Sequence, residues 1–147
     1  SDLPPDAIAS FWLQRARSDL LLGLAGLETA GVLPEDACFH AQQCAEKYLK
    51  AFLVSRKVEP PRTHNLVDLL TMSVAQDEAF ELIRGTLELL NAYAVDIRYP
   101  GESATKSEAR DAVKAMKQVR EFMQSRLGRA EKKAQVRPVH SLLTGAF

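Results

Sequence analysis

Cysteine is scarce in this chain: the 147 residues hold only Cys38 and Cys44. Six residues apart on one predicted helix, these thiols stand about 9 Å apart along its axis and on different faces, so they cannot bridge each other. They read as small buried hydrophobes of a reducing compartment, not as a disulfide framework. Long apolar runs are absent too. None approaches the roughly 20 residues that span a bilayer, and the N-terminus has no basic stretch followed by an apolar core. The expectation is a cytoplasmic protein with no membrane contact. Nor is there an excess of charge of one sign: 19 basic and 19 acidic residues leave a formal net charge of zero. No global field draws in nucleic acid, so any anion must be held locally. Three scattered histidines, without a His-Glu-x-x-His or paired-Cys pattern, make no metal ligand set. A Gly-x-Ser-x-Gly elbow, a Walker A loop and a Gly-x-Gly-x-x-Gly loop are all missing, and neither cysteine has a local neighbour that would activate it. No metal, cofactor or catalytic residue is assigned on these grounds.

What is present is helical. A chain of this length with 46% hydrophobic residues is the size of one domain, able to bury roughly two thirds of its unfolded surface. Trp12, Ala16, Leu20, Leu24 and Leu27 recur at helical spacing until Gly31, which stands where a C-cap glycine belongs. Pro34, Glu35 and Asp36 form a first turn with proline in a tolerated place and acids favourable to the dipole. The second helix runs from there to about Arg56, with a core stripe of Ala37, Ala41, Cys44, Ala45, Tyr48 and Phe52 whose small members admit a close neighbour. After Pro60 and Pro61, Thr63 is placed to cap a short third helix bearing Leu66, Leu69 and Leu70. Phe80, Ile83, Leu87, Leu90, Ala94 and Ile97 predict a fourth helix from about Asp77 to the Pro100-Gly101 stop. Thr105 and Glu108 have capping-box spacing, and Ala109, Ala112, Val113, Met116, Val119, Met123 and Leu127 continue a fifth helix. The prediction is an all-α, antiparallel up-and-down bundle of four long helices and one short one, a domain over 8–128, and a C-terminal tail over 129–147 that loses the periodicity.

Trp12 with Ala16 and Asp19, the run from Cys38 to Lys47 with Lys50, the Thr63-His64-Asn65-Leu66 segment, and Asp96-Ile97-Arg98-Tyr99-Pro100 follow one another in order. In that combination, over about residues 10–127, the chain resembles the HEPN family. The resemblance implies a helical bundle, homodimerisation, and action beside a separately encoded nucleotidyltransferase. Other members are metal-independent ribonucleases, often toxins, marked by an Arg, four to six residues, then a His near the end of a late helix. Here Arg98 is followed by Tyr99 and Pro100, with no histidine before His140. The departure from that pattern argues against ribonuclease chemistry of the family type and for a protein without activity alone.

His40, Gln43, Lys47 and Lys50 fall at spacings of three, four and three, so they share one face of the second helix. An imidazole, an amide and two ammonium groups in a row can receive a phosphate and a base edge. His64 at a helix start and Asp96, Arg98 and Tyr99 at a helix end are further polar groups that a bundle can bring beside this stripe. Arg98 would grip oxyanions through paired hydrogen bonds and Tyr99 would offer a stacking face. The same residues also admit an ordinary reading. The stripe then is a solvated helix face, His40 bonds a nearby carbonyl or carboxylate, His64 supports the Thr63 turn, and Asp96 with Arg98 pins a helix end. Three functions of different class stay open at this point: an accessory module that binds a nucleotide for a partner enzyme, a purely structural dimer or protein-interaction module, and, disfavoured by the missing Arg and His spacing, a metal-independent ribonuclease toxin.

Overall fold

The structure is a computed structural model, and it describes residues 3–94 and 103–127. Its elements, in order, are α1 (Pro5–Glu28), α2 (Pro34–Ser55), α3 (Leu66–Gln76), a 3-10 helix (Glu78–Ile83), α4 (Arg84–Asn91) and α5 (Lys106–Leu127). No strand occurs among the described residues, in agreement with the all-α bundle predicted from periodicity. The expected tail over 129–147 lies outside the described residues.

Local chemistry sets the helix ends. Pro5 and Pro34 open α1 and α2 at the first helical position, where a missing N–H costs nothing and the fixed φ is already helical. The first helix ends sooner than Gly31: Thr29 is the C-cap, its N–H donating to the Ala25 carbonyl at 2.8 Å. Gly31 instead turns the connecting segment with φ of +87°, a conformation glycine adopts at no steric cost. At the end of α2 the Val58 N–H donates to Leu53 O and the Lys57 N–H to Val54 O, both at 2.9 Å. This is a Schellman closure, and Lys57 stands with φ of +61° where glycine is usual.

Two sequence expectations are revised. Asn65, not Thr63, caps α3, accepting from the N–H groups of Val67 at 2.9 Å and Asp68 at 3.2 Å. Thr63 sits one step back, its hydroxyl accepting from the Asn65 N–H. The segment from Asp77 is not α-helical from its start. Asp77 is extended and its carboxylate accepts from Ala79 N, so the chain re-enters as a tight 3-10 helix and reaches α geometry only at Arg84. Ala94 is half-buried, while Ile97, Pro100 and Gly101 lie outside the described residues. The Thr105 and Glu108 capping box forms in both directions, at 3.0 and 3.1 Å.

α2 is the axis of the bundle and packs on α1, α3, α4 and α5. Its predicted stripe, Ala37 to Phe52, is wholly buried, and so are Cys38, Leu49, Ala51 and Leu53 on its other sides. The two cysteines are free and buried. Phe80 locks the 3-10 helix against Phe52 and Phe122, with ring centroids 4.3 and 4.9 Å away. α1 and α2 run antiparallel, and near their connected ends a Cβ added to Gly26 would lie 2.8 Å from the Cβ of Ala37.

Candidate functional site

A helix enclosed on so many sides has to place its polar residues where partners exist, because a buried charge without one costs several kcal/mol. On α2 that need is met by Glu46, whose side chain is only 2% exposed. Its carboxylate accepts from His64 Nδ1 at 2.8 Å, Lys50 Nζ at 3.1 Å and Gln43 Nε2 at 3.4 Å. Lys50 is buried with it, one turn further along α2, and its ammonium lies 5.3 Å from the centre of the Trp12 ring on α1. Gln42, fully buried, donates to the His64 carbonyl at 2.8 Å. The loop before α3 is thereby bound to α2 through both the backbone and the ring of His64.

A second centre lies nearer the connected ends of the hairpin. His40 Nδ1 donates to Asp19 Oδ1 of α1 at 2.9 Å. The carboxylate can only accept, so this bond fixes the Nδ1 proton and leaves Nε2 as the other ring position. Lys47 lies between the two centres. It donates to Gln43 Oε1 at 2.8 Å, while the carboxylates of Asp19 and Glu46 stand 3.8 and 3.7 Å from its ammonium, beyond direct hydrogen bonding. Gln43 completes the chain by donating to Gln42 Oε1 at 2.7 Å. The order is therefore Asp19–His40 at one end, Lys47 and Gln43 in the middle, and Glu46 with Lys50 and His64 at the other.

Five of the expected site residues, His40, Gln43, Lys47, Lys50 and His64, are brought into this one network. Asp96, Arg98 and Tyr99 lie outside the described residues. Asp19, Gln42 and Glu46 were missed as site members, although each stands in the motif segments. Their signal was available in part: Glu46 precedes Lys50 by one helical turn, the favourable order for an i,i+4 ion pair. Asp19 stood in a motif segment, but nothing in the sequence states which residue of α1 faces His40.

The arrangement holds two imidazoles, each fixed through Nδ1 by a carboxylate, on either side of an ammonium group that is 15% exposed. His40 retains 27% exposure and His64 71%. Among the described residues no group of three or more His, Cys, Asp or Glu is placed to hold a metal ion. No helix among them is long and apolar enough to cross a membrane.

Comparison with known proteins agrees with this architecture. Among solved structures the chain is similar to TT1696 from Thermus thermophilus, at 28% identity with a TM-score of 0.70, covering 81% of this chain and 98% of that one. No curated protein matches. The family model for the HEPN domain matches residues 9–127, from the first turns of α1 to the last residue of α5, and the chain thus belongs to the HEPN domain family.

Proposed function

We propose that this chain is a dimerising accessory HEPN module, without activity alone, that binds a nucleotide-like anion on the polar face of α2 for a separately encoded nucleotidyltransferase. The observation that carries the reading is the state of Lys47. Among the described residues its single close bond is to a neutral amide, and both neighbouring carboxylates stay near 3.8 Å. An ammonium has three donors, so two remain for phosphate oxygens. The flanking His40 and His64 rings, held in one tautomer, supply hydrogen-bonding edges of defined direction for a base or sugar. Asp96, Arg98 and Tyr99 belong to the same proposal as further ligand contacts.

The test is a thermal shift with a panel of nucleotides, comparing wild type with His40→Ala and Lys47→Ala. A ligand at a hundredfold excess over its dissociation constant adds about 2.7 kcal/mol, a rise of several degrees for a domain of this size. A shift in wild type that both variants lose supports the site. Equal shifts in all three proteins refute it. Activity of a reconstituted nucleotidyltransferase pair should fall in the same two variants.

A structural interaction module is the second reading, favoured by a different observation. Asp19 and Glu46 already balance Lys47 and Lys50 in charge. Meanwhile Phe11 and Leu22, eleven residues apart and hence on one face of α1, are each 47% exposed. These two side chains suit a dimer contact, with Arg15 stacked on the Phe11 ring and Ser18 between them. Under this reading Phe11→Ser with Leu22→Ser yields a monomer in sizing experiments, and the polar-face variants leave partner binding unchanged.

A further inference from the structure

A cleft opens at the open end of the α1–α2 hairpin, beyond the Lys50 end of the polar face. There, Pro5, Ile8 and Trp12 of α1, Val54 of α2 and the 57–62 loop enclose a cleft of about 620 Å³. That volume lies within the range of small-molecule sites. Its lining is divided by chemistry. Ile8, Trp12, Val54, Val58 and Pro60 give flat and branched apolar surface, whereas Lys57 and Arg62 stand at the rim and are exposed. Lys50 lines it as well, but its charge is committed to Glu46 at 3.1 Å. Of the remaining charged lining groups, Lys57 and Arg62 outnumber Glu59 by one, and no ion pair among the described residues ties them down. The carbonyls at the end of α2, which would repel an anion, are occupied by the Schellman bonds from Lys57 and Val58.

We infer that this cleft is a binding site for a small organic monoanion with a flat apolar body, an aryl carboxylate in chemical class, distinct from the nucleotide site proposed on α2. The aromatic part lies along Trp12, Ile8 and Val54, and the carboxylate faces Lys57 and Arg62. One elementary charge matches the rim surplus, which separates this ligand from a dianionic phosphate ester. Lys57 is among the residues that line the cleft, and its backbone stands at positive φ.

Trp12 is the only tryptophan in the chain, so its emission reports directly on the cleft. We would titrate the full chain with biphenylacetate, with the uncharged biphenyl ethanol of the same shape, and with AMP, following Trp12 fluorescence and confirming by calorimetry. The expected result is saturable binding of biphenylacetate, with the alcohol weaker by about tenfold, the worth of one charge-assisted contact. Lys57→Glu and Arg62→Glu, both at exposed positions, should each weaken biphenylacetate by a similar factor. His40→Ala should leave it unchanged, which distinguishes this cleft from the α2 face. Equal binding of acid and alcohol, no binding of the acid, or binding of AMP alone that the rim variants abolish would each overturn the inference.

Discussion

Replacing Glu46 with alanine removes the acceptor shared by His64, Lys50 and Gln43 and leaves the Lys50 ammonium buried without its carboxylate. Breaking a buried ion pair from one side costs about 3–5 kcal/mol, out of the 5–15 kcal/mol that typically separate a folded domain from its unfolded chain. For a chain of this size each kcal/mol moves Tm by about 3–4 °C, so the midpoint should fall by roughly 10–20 °C. Glu46→Gln keeps the volume and one acceptor oxygen and should cost about half as much, separating charge from cavity. The decisive variant is double. Glu46→Leu with Lys50→Met removes both charges at nearly constant volume, and such replacements are often neutral or stabilising by about 1–4 kcal/mol. Urea unfolding followed by circular dichroism measures all three. A loss below about 1 kcal/mol for Glu46→Ala, or a double variant no more stable than the single one, would refute the assignment of a dry, mutually dependent pair.

Three further outcomes follow from the geometry. Gly26→Ala should destabilise by about 1–3 kcal/mol through the contact with Ala37, although alanine favours a helix by about 1 kcal/mol; adding Ala37→Gly should recover only part, because the Ala37 Cα also lies 3.1 Å away, as denaturant midpoints would report. Lys57→Gly should raise stability by up to about 1 kcal/mol, since the left-handed backbone at Lys57 is unfavourable for a residue with a Cβ, and should at the same time weaken biphenylacetate binding. The paired hydrogen bonds from Arg84 hold the Glu81 carboxyl below the usual carboxylate range. A carboxyl depressed on folding contributes stability above its unfolded pKa and loses it as pH falls through the folded value, so the Glu81 NMR titration should move upward in Arg84→Gln while the rest of the acid transition stays in place.

Periodicity made the bundle legible because apolar spacing reports directly on which face of a helix is covered. The buried stripe from Ala37 to Phe52 and the capping box at Thr105 and Glu108 were readable for that reason. Competing local signals decided the misplaced boundaries. Thr63 and Asn65 are both capable caps two residues apart, and only the position of the first helical residue distinguishes them. The extended Asp77 likewise interrupts an apolar spacing that would otherwise continue. The site was half legible. Spacing along α2 grouped His40, Gln43, Lys47 and Lys50, but it could not tell that Lys50 and Glu46 are buried. Charged residues normally mark a wet face, and only the packing of α1 and the 57–65 loop over α2 buries these two. The opposition of Asp19 to His40, and of Trp12 to Lys50, depends on the mutual register of two helices, which no single helix encodes.

That register has an evolutionary consequence. Gly26 against Ala37, Asp19 against His40 and Trp12 against Lys50 are successive teeth of one gear, spread along more than three turns of α1. One residue inserted between Asp19 and Gly26 would rotate everything before it by about 100°, carrying Asp19 and Trp12 off α2 together while the Gly26 contact stayed meshed. The same residue inserted among 29–33 would leave every tooth engaged. Between Trp12 and Lys50, a change of length is therefore tolerated in the connecting loop but not within residues 12–26 of α1.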